Sequence, residues 1–455
     1  MNQNKTLSRI VGEGTVLSSG SSFITKIIGL VILFLVLSRL SIYEYGLAKL
    51  ALSLVPLLSF LKLPGMDTVL ITDIAREKGL GNLSKAKALF IGYFRLQLIL
   101  AFVAWFILFF GAEIVDLFYE GQITFLIRII SFSFIFSVFR TIITSFLSTE
   151  LEFKNQSLFS ILEELSKLIL LIIIFSKFNF GPAGFVFAIV FASLIPILFF
   201  SGYIYKYYKS IYGSVKKDST NIFEIIKLHG KWAIALSYLN EFGKNIRLWI
   251  IKFMIGTEAV AIFSVAVGFY SNTTGLFPFN SVLSTVIPRF LNDKKRFFRI
   301  IRKSIKYQFA VLSILGVFSF LVFPPVINII FPQYIDSVIL FKVMLISLLG
   351  VSFTSIFTII FNSLKQQKSL FSSIAIKTIF TIIFAPIFIY FFGIVGVAIE
   401  FVLSVFVMAI DRFIIVKKIF PTLKLFSRDF WSFDVEDKIF INKISKTLLK
   451  TNAFK

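Results

Sequence analysis

Residues 369–391 read SLFSSIAIKTIFTIIFAPIFIYF, and shortly after them residues 394–416 read IVGVAIEFVLSVFVMAIDRFIIV. Each run is long enough to cross the hydrocarbon core of a bilayer, which takes about 20 apolar residues in an α-helix. Neither run alternates apolar and polar residues at every second position, as a strand of a membrane barrel would. The two runs therefore predict a pair of transmembrane helices with a very short connection.

The composition of the whole chain agrees with a membrane protein. Of its 455 residues, 57% are hydrophobic and only 16% are charged, with 60 Phe and a mean hydropathy of +0.90. Soluble domains have about 25% charged residues. Cys is absent and His229 is the single histidine, so Cys-based and multi-His metal sites are excluded. We expect an integral membrane protein without metal or cofactor.

Twelve apolar runs along the chain are long enough to span the membrane. They cover residues 18–39, 46–63, 88–111, 124–147, 157–177, 182–204, 231–254, 259–288, 307–330, 337–361, 369–391 and 394–416. The sequence therefore predicts an all-α membrane protein with twelve transmembrane helices.

The formal charge of +23 is distributed very unevenly over the predicted loops. Of 47 Lys and Arg residues, 32 lie on the side of the membrane that holds the amino terminus, and only Arg39 and Lys177 lie in loops on the other side. Positively charged loops stay in the cytoplasm. We therefore expect a multi-pass protein of the cytoplasmic membrane with both termini inside. The basic charge marks topology and contact with membrane lipids, and it does not indicate nucleic-acid binding.

The chain contains a weak internal repeat. Ser157–Leu158–Phe159–Ser160 recurs as Ser369–Leu370–Phe371–Ser372, and Gly181-x-x-Gly184 recurs as Gly393-x-x-Gly396. Because six spans separate the repeats, both halves enter the membrane from the same side and are parallel, as in transporters that enclose a central cavity. We predict an amino-terminal segment 1–17, a six-helix bundle 18–204, a cytoplasmic linker 205–230, a second bundle 231–416 and a cytoplasmic basic tail 417–455.

Thirteen cations fall inside the predicted spans, against five acids. A Lys or Arg at the middle of a span costs about 2.5–3.5 kcal/mol, so these groups must pair, line water or reach the interface. Six lie near span ends, where reaching the interface is the simplest explanation: Lys49, Lys62, Arg128, Lys252, Lys342 and Arg412. The deeper cations favour an anionic substrate held in a basic cavity, since Lys and Arg bind phosphate oxygens.

Acidic residues in three spans are candidates for ion or proton coupling: Glu241, Glu163, Glu164 and Glu400. In the seventh span, Asn240, Glu241, Lys244 and Arg247 are three and four residues apart and should share one helix face. In the fifth span, Glu163 and Glu164 have Lys167 within reach, so a structural ion pair is an equally good explanation there. Glu400 has no partner close in sequence, which makes it a candidate protonatable site.

Loose motifs at span ends resemble those of the multidrug/oligosaccharidyl-lipid/polysaccharide exporter superfamily, in its O-antigen and polysaccharide flippase branch. The motifs are Leu40–Ser41 and Tyr43–Glu44–Tyr45–Gly46 before the second helix, Gly65–Met66–Asp67 after it, and the two Gly-x-x-Gly openings. The resemblance covers residues from about 5 to 418. It implies a fold like that of the multidrug and toxin extrusion (MATE) transporters, with two six-helix bundles around a central cavity.

The resemblance also implies a function: alternating-access translocation of a lipid-linked oligosaccharide on a polyprenyl diphosphate for surface polysaccharide or O-antigen biosynthesis. Polysaccharide polymerase and glycosyltransferases would be partners. Cavity cations of such flippases receive the diphosphate, and the first helices of the two halves, with Lys26 and with Lys244 and Arg247, occupy equivalent positions. Arg95 and Arg140 are further candidates.

Two alternatives remain at this point. One is a cation-coupled multidrug or small-molecule antiporter of the same fold, although Lys26 lies where that branch of the superfamily places an acid. The other is a membrane polymerase or glycosyltransferase acting on lipid-linked sugars. Such enzymes need a sizeable outer loop or an acidic active site, and the predicted outer loops are short. We therefore expect a transporter and not an enzyme.

Overall fold

A computed structural model describes residues 7–116, 123–178, 180–216, 218, 230–275, 283, 287 and 293–423. All regular secondary structure among these residues is helical. The described residues of the first half form nine α-helices: α1 Leu7–Arg39, α2 Ile42–Leu57, α3 Met66–Gly79, α4 Leu83–Phe110, α5 Ala112–Asp116, α6 Thr124–Thr149, α7 Phe153–Lys177, α8 Gly181–Phe191 and α9 Leu194–Tyr212. The second half contains α10 Lys231–Met254, α11 Thr257–Gly275, α12 Lys294–Ile330, α13 Asp336–Leu345, α14 Leu348–Ser363 and α15 Gln367–Ile419.

These helices form twelve spans. Within the described residues, six helical stretches are long and apolar enough to cross a membrane, and two bent pairs, α2 with the chain up to Gly79 and α13 with α14, would each make one more. Helix α15 counts as two spans because Gly393 has non-helical backbone angles (φ 57°, ψ −142°). The more polar helices α7, α10 and α11 complete the twelve. The predicted fold is confirmed.

The two halves repeat the same helix packing. The first and fifth spans, α1 and α7, pack extensively together, and so do their counterparts α10 and the first part of α15. At the second of these crossings, a side chain on Gly243 would collide with Thr378. The third and fourth spans, α4 and α6, pack together as α12 and α14 do. Parallel repeats joined in this way form two bundles with an interface between them.

The halves meet mainly through α2, which packs against α11 and α10. At one end of α2, a Cβ atom on Gly46 would lie 2.1 Å from the carbonyl oxygen of Thr257. At the other end, a Cβ atom on Gly65 would lie 2.2 Å from Ser237 Oγ. Both positions need glycine because backbone of one half lies directly against the other. The predicted Tyr43–Gly46 motif therefore lies at the contact between the bundles.

The same motif also starts α2. Ser41 Oγ accepts a hydrogen bond from the Glu44 backbone N–H at 3.2 Å, and the Glu44 carboxylate accepts one from the Ser41 N–H at 2.9 Å. This reciprocal arrangement is a capping box, which satisfies two donors that a helix start otherwise leaves free. The ring of Tyr45 is buried against Phe185 and Tyr334.

Several helix bounds differ from the sequence prediction. Helix α12 begins at Lys294 and runs unbroken to Ile330, so the basic residues that precede the predicted span 307–330 are part of the same helix. It stays helical because Phe297, Ile301 and Ile305 are buried against the second bundle. The second span breaks after Leu57 into a short 3₁₀ turn, Ser59–Lys62, and the chain turns through Leu63 (φ 51°) and Gly65 (φ 81°).

Candidate functional site

A cavity lies between the two bundles, among α1, α2, α7, α8 and α11. Its main part has a volume of about 260 Å³ and an adjoining part about 200 Å³. The two parts share Gly29, Glu164 and Asn272, so we treat them as one interbundle cavity. Three cations line it together with one carboxylate: Lys26, Lys49, Lys167 and Glu164.

Lys26 reaches from the first half to the second. It lies on α1 and lines the smaller part of the interbundle cavity beside Asn272 of α11. A Cβ atom on Gly275 of α11 would be 3.0 Å from Lys26 Cε and 3.2 Å from its Nζ. The ammonium of Lys26 is therefore held where both halves can contact a ligand.

Lys49 enters the cavity from α2. Its ammonium lies 5.2 Å from the centre of the Tyr45 ring, within cation–π distance. No ion pair to Lys49 forms among the described residues. The position of Lys49 near a span end predicts that it reaches the interface, but the packing of α2 against both bundles turns the side chain into the cavity.

Two neighbouring acids on α7 face different cavities. Glu164 lines the interbundle cavity, where its Oε1 is 2.8 Å from Lys167 Nζ. Glu163 is buried and lines a second cavity of about 310 Å³ inside the first bundle, where its Oε2 accepts a hydrogen bond from Arg140 Nε at 2.8 Å. Lys167 is also 3.8 Å from Glu163 Oε1. Arg140, Glu163, Lys167 and Glu164 thus form one ionic chain between the two cavities.

The charge balance of the interbundle cavity favours an anion. Glu164 neutralises Lys167 in part, and Lys26 and Lys49 remain without a carboxylate among the described residues. Ammonium groups donate up to three hydrogen bonds and accept none, so their natural ligands are phosphate or carboxylate oxygens. The cavity can therefore hold an anionic group in contact with α1, α2 and α7 from one half and α11 from the other.

The polar residues of α10 divide between two environments. Lys244 is half exposed, and its Nζ lies 2.7 Å from Glu241 Oε1. Arg247 is 3% exposed and forms a two-point ion pair with Glu400, with Nε–Oε2 at 2.8 Å and Nη2–Oε1 at 3.2 Å. Thr381 and Ser404 complete its hydrogen bonds. The expected single face is thus split, and Glu400 has Arg247 as its partner.

Two other cations that were assigned to the interface lie inside the bundles. Lys62 Nζ donates to Ser137 Oγ at 2.8 Å and lies over the Phe134 ring. Arg412 is 4% exposed and donates to the Thr354 carbonyl oxygen at 2.9 Å and to Thr358 Oγ1 at 2.5 Å. Arg95, a candidate from the sequence, is exposed on α4 and lines neither the interbundle cavity nor the cavity of Arg140 and Glu163.

The predicted candidates therefore separate into groups. The structure brings Lys26 and Glu164 together in the interbundle cavity. It places Arg140 and Glu163 in the second cavity, of about 310 Å³, whose lining shares Ile189 with the interbundle cavity. Lys49 and Lys167 are lining cations that the candidate set from the sequence lacked. Among the described residues, no group of three or more metal-ligating side chains is present.

Solved structures similar to this one are membrane transporters and flippases. An inward-facing multidrug resistance MATE transporter of the MOP superfamily superposes with a TM-score of 0.75 at 17% identity, covering 88% of this chain and 96% of that one. The lipid II flippase MurJ in an inward closed conformation has a TM-score of 0.69 at 18% identity, covering 97% and 93%. A MOP superfamily transporter from Pyrococcus furiosus has a TM-score of 0.68 at 17% identity, covering 91% and 96%.

The two bundles and the cavity between them have the same fold as these solved structures. A family model described as polysaccharide biosynthesis protein matches residues 11–293. The chain belongs to that family. No curated protein matches it significantly.

Proposed function

We propose that this protein translocates an oligosaccharide linked to a polyprenyl diphosphate across the cytoplasmic membrane, for surface polysaccharide or O-antigen biosynthesis. The observation that carries the proposal is the interbundle cavity, in which Lys26, Lys49 and Lys167 face a single carboxylate, Glu164. Membership of the polysaccharide biosynthesis protein family supports a glycan substrate. A structural neighbour is a flippase for a lipid-linked molecule, lipid II.

The diphosphate of the substrate would bind in the interbundle cavity. Its oxygens are strong acceptors for the ammonium groups of Lys26 and Lys49, and Lys167 would be shared with Glu164. Because Lys26 lies against α11 of the second half, a bound anion contacts both bundles. A ligand that contacts both halves stabilises the arrangement that encloses it, which is the requirement for alternating access.

The loop charges support an orientation for this transport. Lys and Arg residues number 32 on the side of the termini and two on the other, so both termini lie in the cytoplasm. Glycosyltransferases would supply the lipid-linked glycan on that side, and a polysaccharide polymerase would use it on the other. Transport itself needs no chemical change of the substrate, and we propose that the protein is not an enzyme.

A cation-coupled multidrug or small-molecule antiporter is the second candidate. It is favoured by the fold shared with a multidrug transporter and by the presence of Glu164 in the cavity. An antiporter of this kind would use that carboxylate for a proton or metal cation. The ion pair of Glu164 with Lys167 at 2.8 Å argues against this use, because a cation would have to displace the ammonium.

Complementation tests the proposal. A strain that lacks this gene should lose its surface polysaccharide, and the natural gene should restore it. Lys26→Ala should restore little or none, whereas Arg95→Ala, outside the cavities, should restore nearly all. Resistance to drugs on overexpression with no glycan defect on deletion would favour the antiporter. Conversion of a lipid-linked sugar into another product by the purified protein would favour an enzyme.

A further inference from the structure

A separate polar pocket lies inside the first bundle, where α2 breaks into the 3₁₀ turn and the chain enters α3. It has a volume of about 190 Å³. Its polar lining comes from the turn, from α3 and from the facing helices α4 and α6: Ser59, Lys62, Asp67, Gln97, Ser137 and Thr141. Tyr93 contributes an aromatic ring. We call this the α2–α3 pocket.

The pocket holds polar groups that the protein itself leaves without partners. Ser59 is 8% exposed, and its Oγ has no hydrogen-bond partner among the described residues. A buried hydroxyl without a hydrogen-bond partner lowers the stability of the fold by about 1–3 kcal/mol. An unpartnered hydroxyl that lines a pocket therefore indicates a site for a ligand or a water molecule. The Asp67 carboxylate likewise accepts no hydrogen bond and forms no ion pair within the described part of the chain.

Lys62, the cation that lines the pocket, also has N–H donors available for a ligand. Lys62 Nζ donates one hydrogen bond, to Ser137 Oγ at 2.8 Å, and an ammonium has three donors. Lys62 is held in place because its carbonyl oxygen accepts a hydrogen bond from Gln97 Nε2 at 2.6 Å. Lys62 and Asp67 line the same pocket without forming an ion pair with each other.

This combination selects a ligand by its hydrogen bonds. An anion such as phosphate would satisfy Lys62 but would face the carboxylate of Asp67. A cation would satisfy Asp67 but would face Lys62. A hydroxyl group both donates and accepts, so a ring with several hydroxyls can donate to Asp67, accept from Lys62 and pair with Ser59.

The position of the pocket connects it with the proposed transport path. The α2–α3 pocket shares Ser137 with the cavity that holds Arg140 and Glu163, and that cavity shares Ile189 with the interbundle cavity. A glycan whose diphosphate lies near Lys26 would have polar space along this series of cavities within the first bundle. Its sugars have the mixed donor and acceptor character that the pocket requires.

We propose that the α2–α3 pocket is a sugar-binding subsite, which takes one ring of the glycan. This inference rests on the proposed function, since it assigns part of the same substrate to a second site. Asp67 and Ser59 are the binding residues, Lys62 is the donor, and Gln97 positions Lys62. The volume is small beside the roughly 300–1,000 Å³ of common ligand pockets, which fits one ring and not an oligosaccharide.

Saturation-transfer difference NMR with free sugars tests the subsite. The full chain would be placed in lipid nanodiscs, because glycoside detergents would themselves supply sugar. The probes are glucose, galactose, mannose, N-acetylglucosamine and glucuronic acid. At least one sugar should give a signal with the natural chain. Asp67→Ala should weaken binding of that sugar at least tenfold, and Ser59→Ala should weaken it about threefold.

Asp73→Ala is the matched control, since Asp73 lies on the same helix α3 but does not line the pocket. It should leave the sugar signal unchanged. The unfolding temperature of each variant separates loss of binding from loss of fold, and Asp67→Asn serves if Asp67→Ala is unstable. The subsite is contradicted if no sugar gives a signal, if the signal survives loss of Asp67, or if inorganic phosphate displaces the sugar.

A further variant distinguishes this inference from the proposed function. Lys26→Ala should retain the sugar signal while it loses binding of farnesyl diphosphate, a short polyprenyl diphosphate. If the natural chain fails to bind the diphosphate but the sugar signal depends on Asp67, the proposed diphosphate site is wrong and the subsite stands. If the diphosphate binds and no sugar does, the subsite alone is wrong.

Discussion

The side chain of Lys26 on α1 lies against Gly275 on α11, so that one half of the molecule places a cation directly on the backbone of the other. Together with Lys49 and Lys167 it makes the interbundle cavity basic. Under the proposed function, an anion bound there would contact both halves at once.

Gly46→Ala should prevent the halves from meeting at one end of α2. The added Cβ would lie 2.1 Å from the Thr257 carbonyl oxygen, which is far inside contact distance. We expect transport to fall at least tenfold, measured by flipping in proteoliposomes. Gly20→Ala is the control, because no atom lies within 4 Å of its added Cβ. Normal transport by Gly46→Ala would mean that this contact plays no part in the transport cycle.

Glu164→Gln should strengthen binding of a diphosphate. It removes a negative charge from the cavity and releases Lys167, which is now 2.8 Å from Glu164. A charge interaction of about 1 kcal/mol corresponds to roughly a fivefold change in affinity. We expect farnesyl diphosphate to bind about fivefold more tightly, measured by calorimetry.

Glu163→Gln is the matched change for this experiment, since Glu163 is the adjacent residue but faces the other cavity. It should lower stability by about 1–3 kcal/mol, because Arg140 and Lys167 lose a buried acceptor. It should tighten diphosphate binding less than Glu164→Gln does, because Glu163 is farther from Lys167 Nζ (3.8 Å against 2.8 Å) and does not line the interbundle cavity. Equal effects of the two variants on affinity would contradict the assignment of Glu164 to the interbundle cavity.

Glu400→Ala should destabilise the second bundle strongly. Its partner Arg247 is buried, and removing one member of a buried ion pair costs about 3–5 kcal/mol. Thermal unfolding in detergent measures the loss. Arg247→Met combined with Glu400→Leu should recover much of it, because no charge is left buried. A stable Glu400→Ala protein that loses the pH dependence of transport would instead indicate a coupling role.

Glu77 should give a small pH dependence of stability. Glu77 lies on α3, between the predicted spans 46–63 and 88–111, and hydrogen bonds from Lys85 and Asn82 hold the pKa of its carboxyl below the ordinary value. A lowered pKa adds stability above the ordinary pKa near 4.5, and this is lost as pH falls through the folded value. Glu77→Gln should therefore lower the unfolding free energy by about 0.5 kcal/mol at pH 7, as partly exposed pairs do. The difference from the natural chain should shrink near pH 4, and a difference that grows would contradict the assignment.

The spans could be predicted because their apolar length is set by the bilayer. Residues 231–254 coincide with α10, and the pair at 369–391 and 394–416 coincides with the two parts of α15. The sequence did not predict the break at Leu63 and Gly65 or the 52° bend between α13 and α14, because tertiary packing determines both. The apolar length of the ninth span predicts its start at residue 307, whereas α12 begins at Lys294 because Phe297 and Ile301 are buried against the second bundle.

The cavity was predicted less well than the spans. Position in the sequence places Lys49 and Lys62 near span ends, but only the packing of α2 and of the following 3₁₀ turn shows that both point inward. Spacing predicts Lys244 and Arg247 on one face. In a helix of 3.6 residues per turn, however, the directions of two residues three positions apart differ by about 60° around the axis. That rotation carries Arg247 into the bundle and leaves Lys244 half exposed. Arg247, the partner of Glu400, is 153 residues away in the sequence, so no local spacing pattern predicts this ion pair.

The most direct test of the central claim is a flipping measurement with a fluorescent polyprenyl-diphosphate N-acetylglucosamine in proteoliposomes, followed by chemical quenching of the outer leaflet. The natural chain should move the lipid between leaflets. The triple variant Lys26→Gln, Lys49→Gln and Lys167→Gln should do so at least tenfold more slowly. Arg95→Gln with Lys252→Gln and Lys342→Gln replaces three cations that line neither the interbundle cavity nor the two cavities in the first bundle, and it should stay within about twofold of the natural rate. No flipping by the natural chain, or an unchanged rate in the cavity variant, would contradict the account.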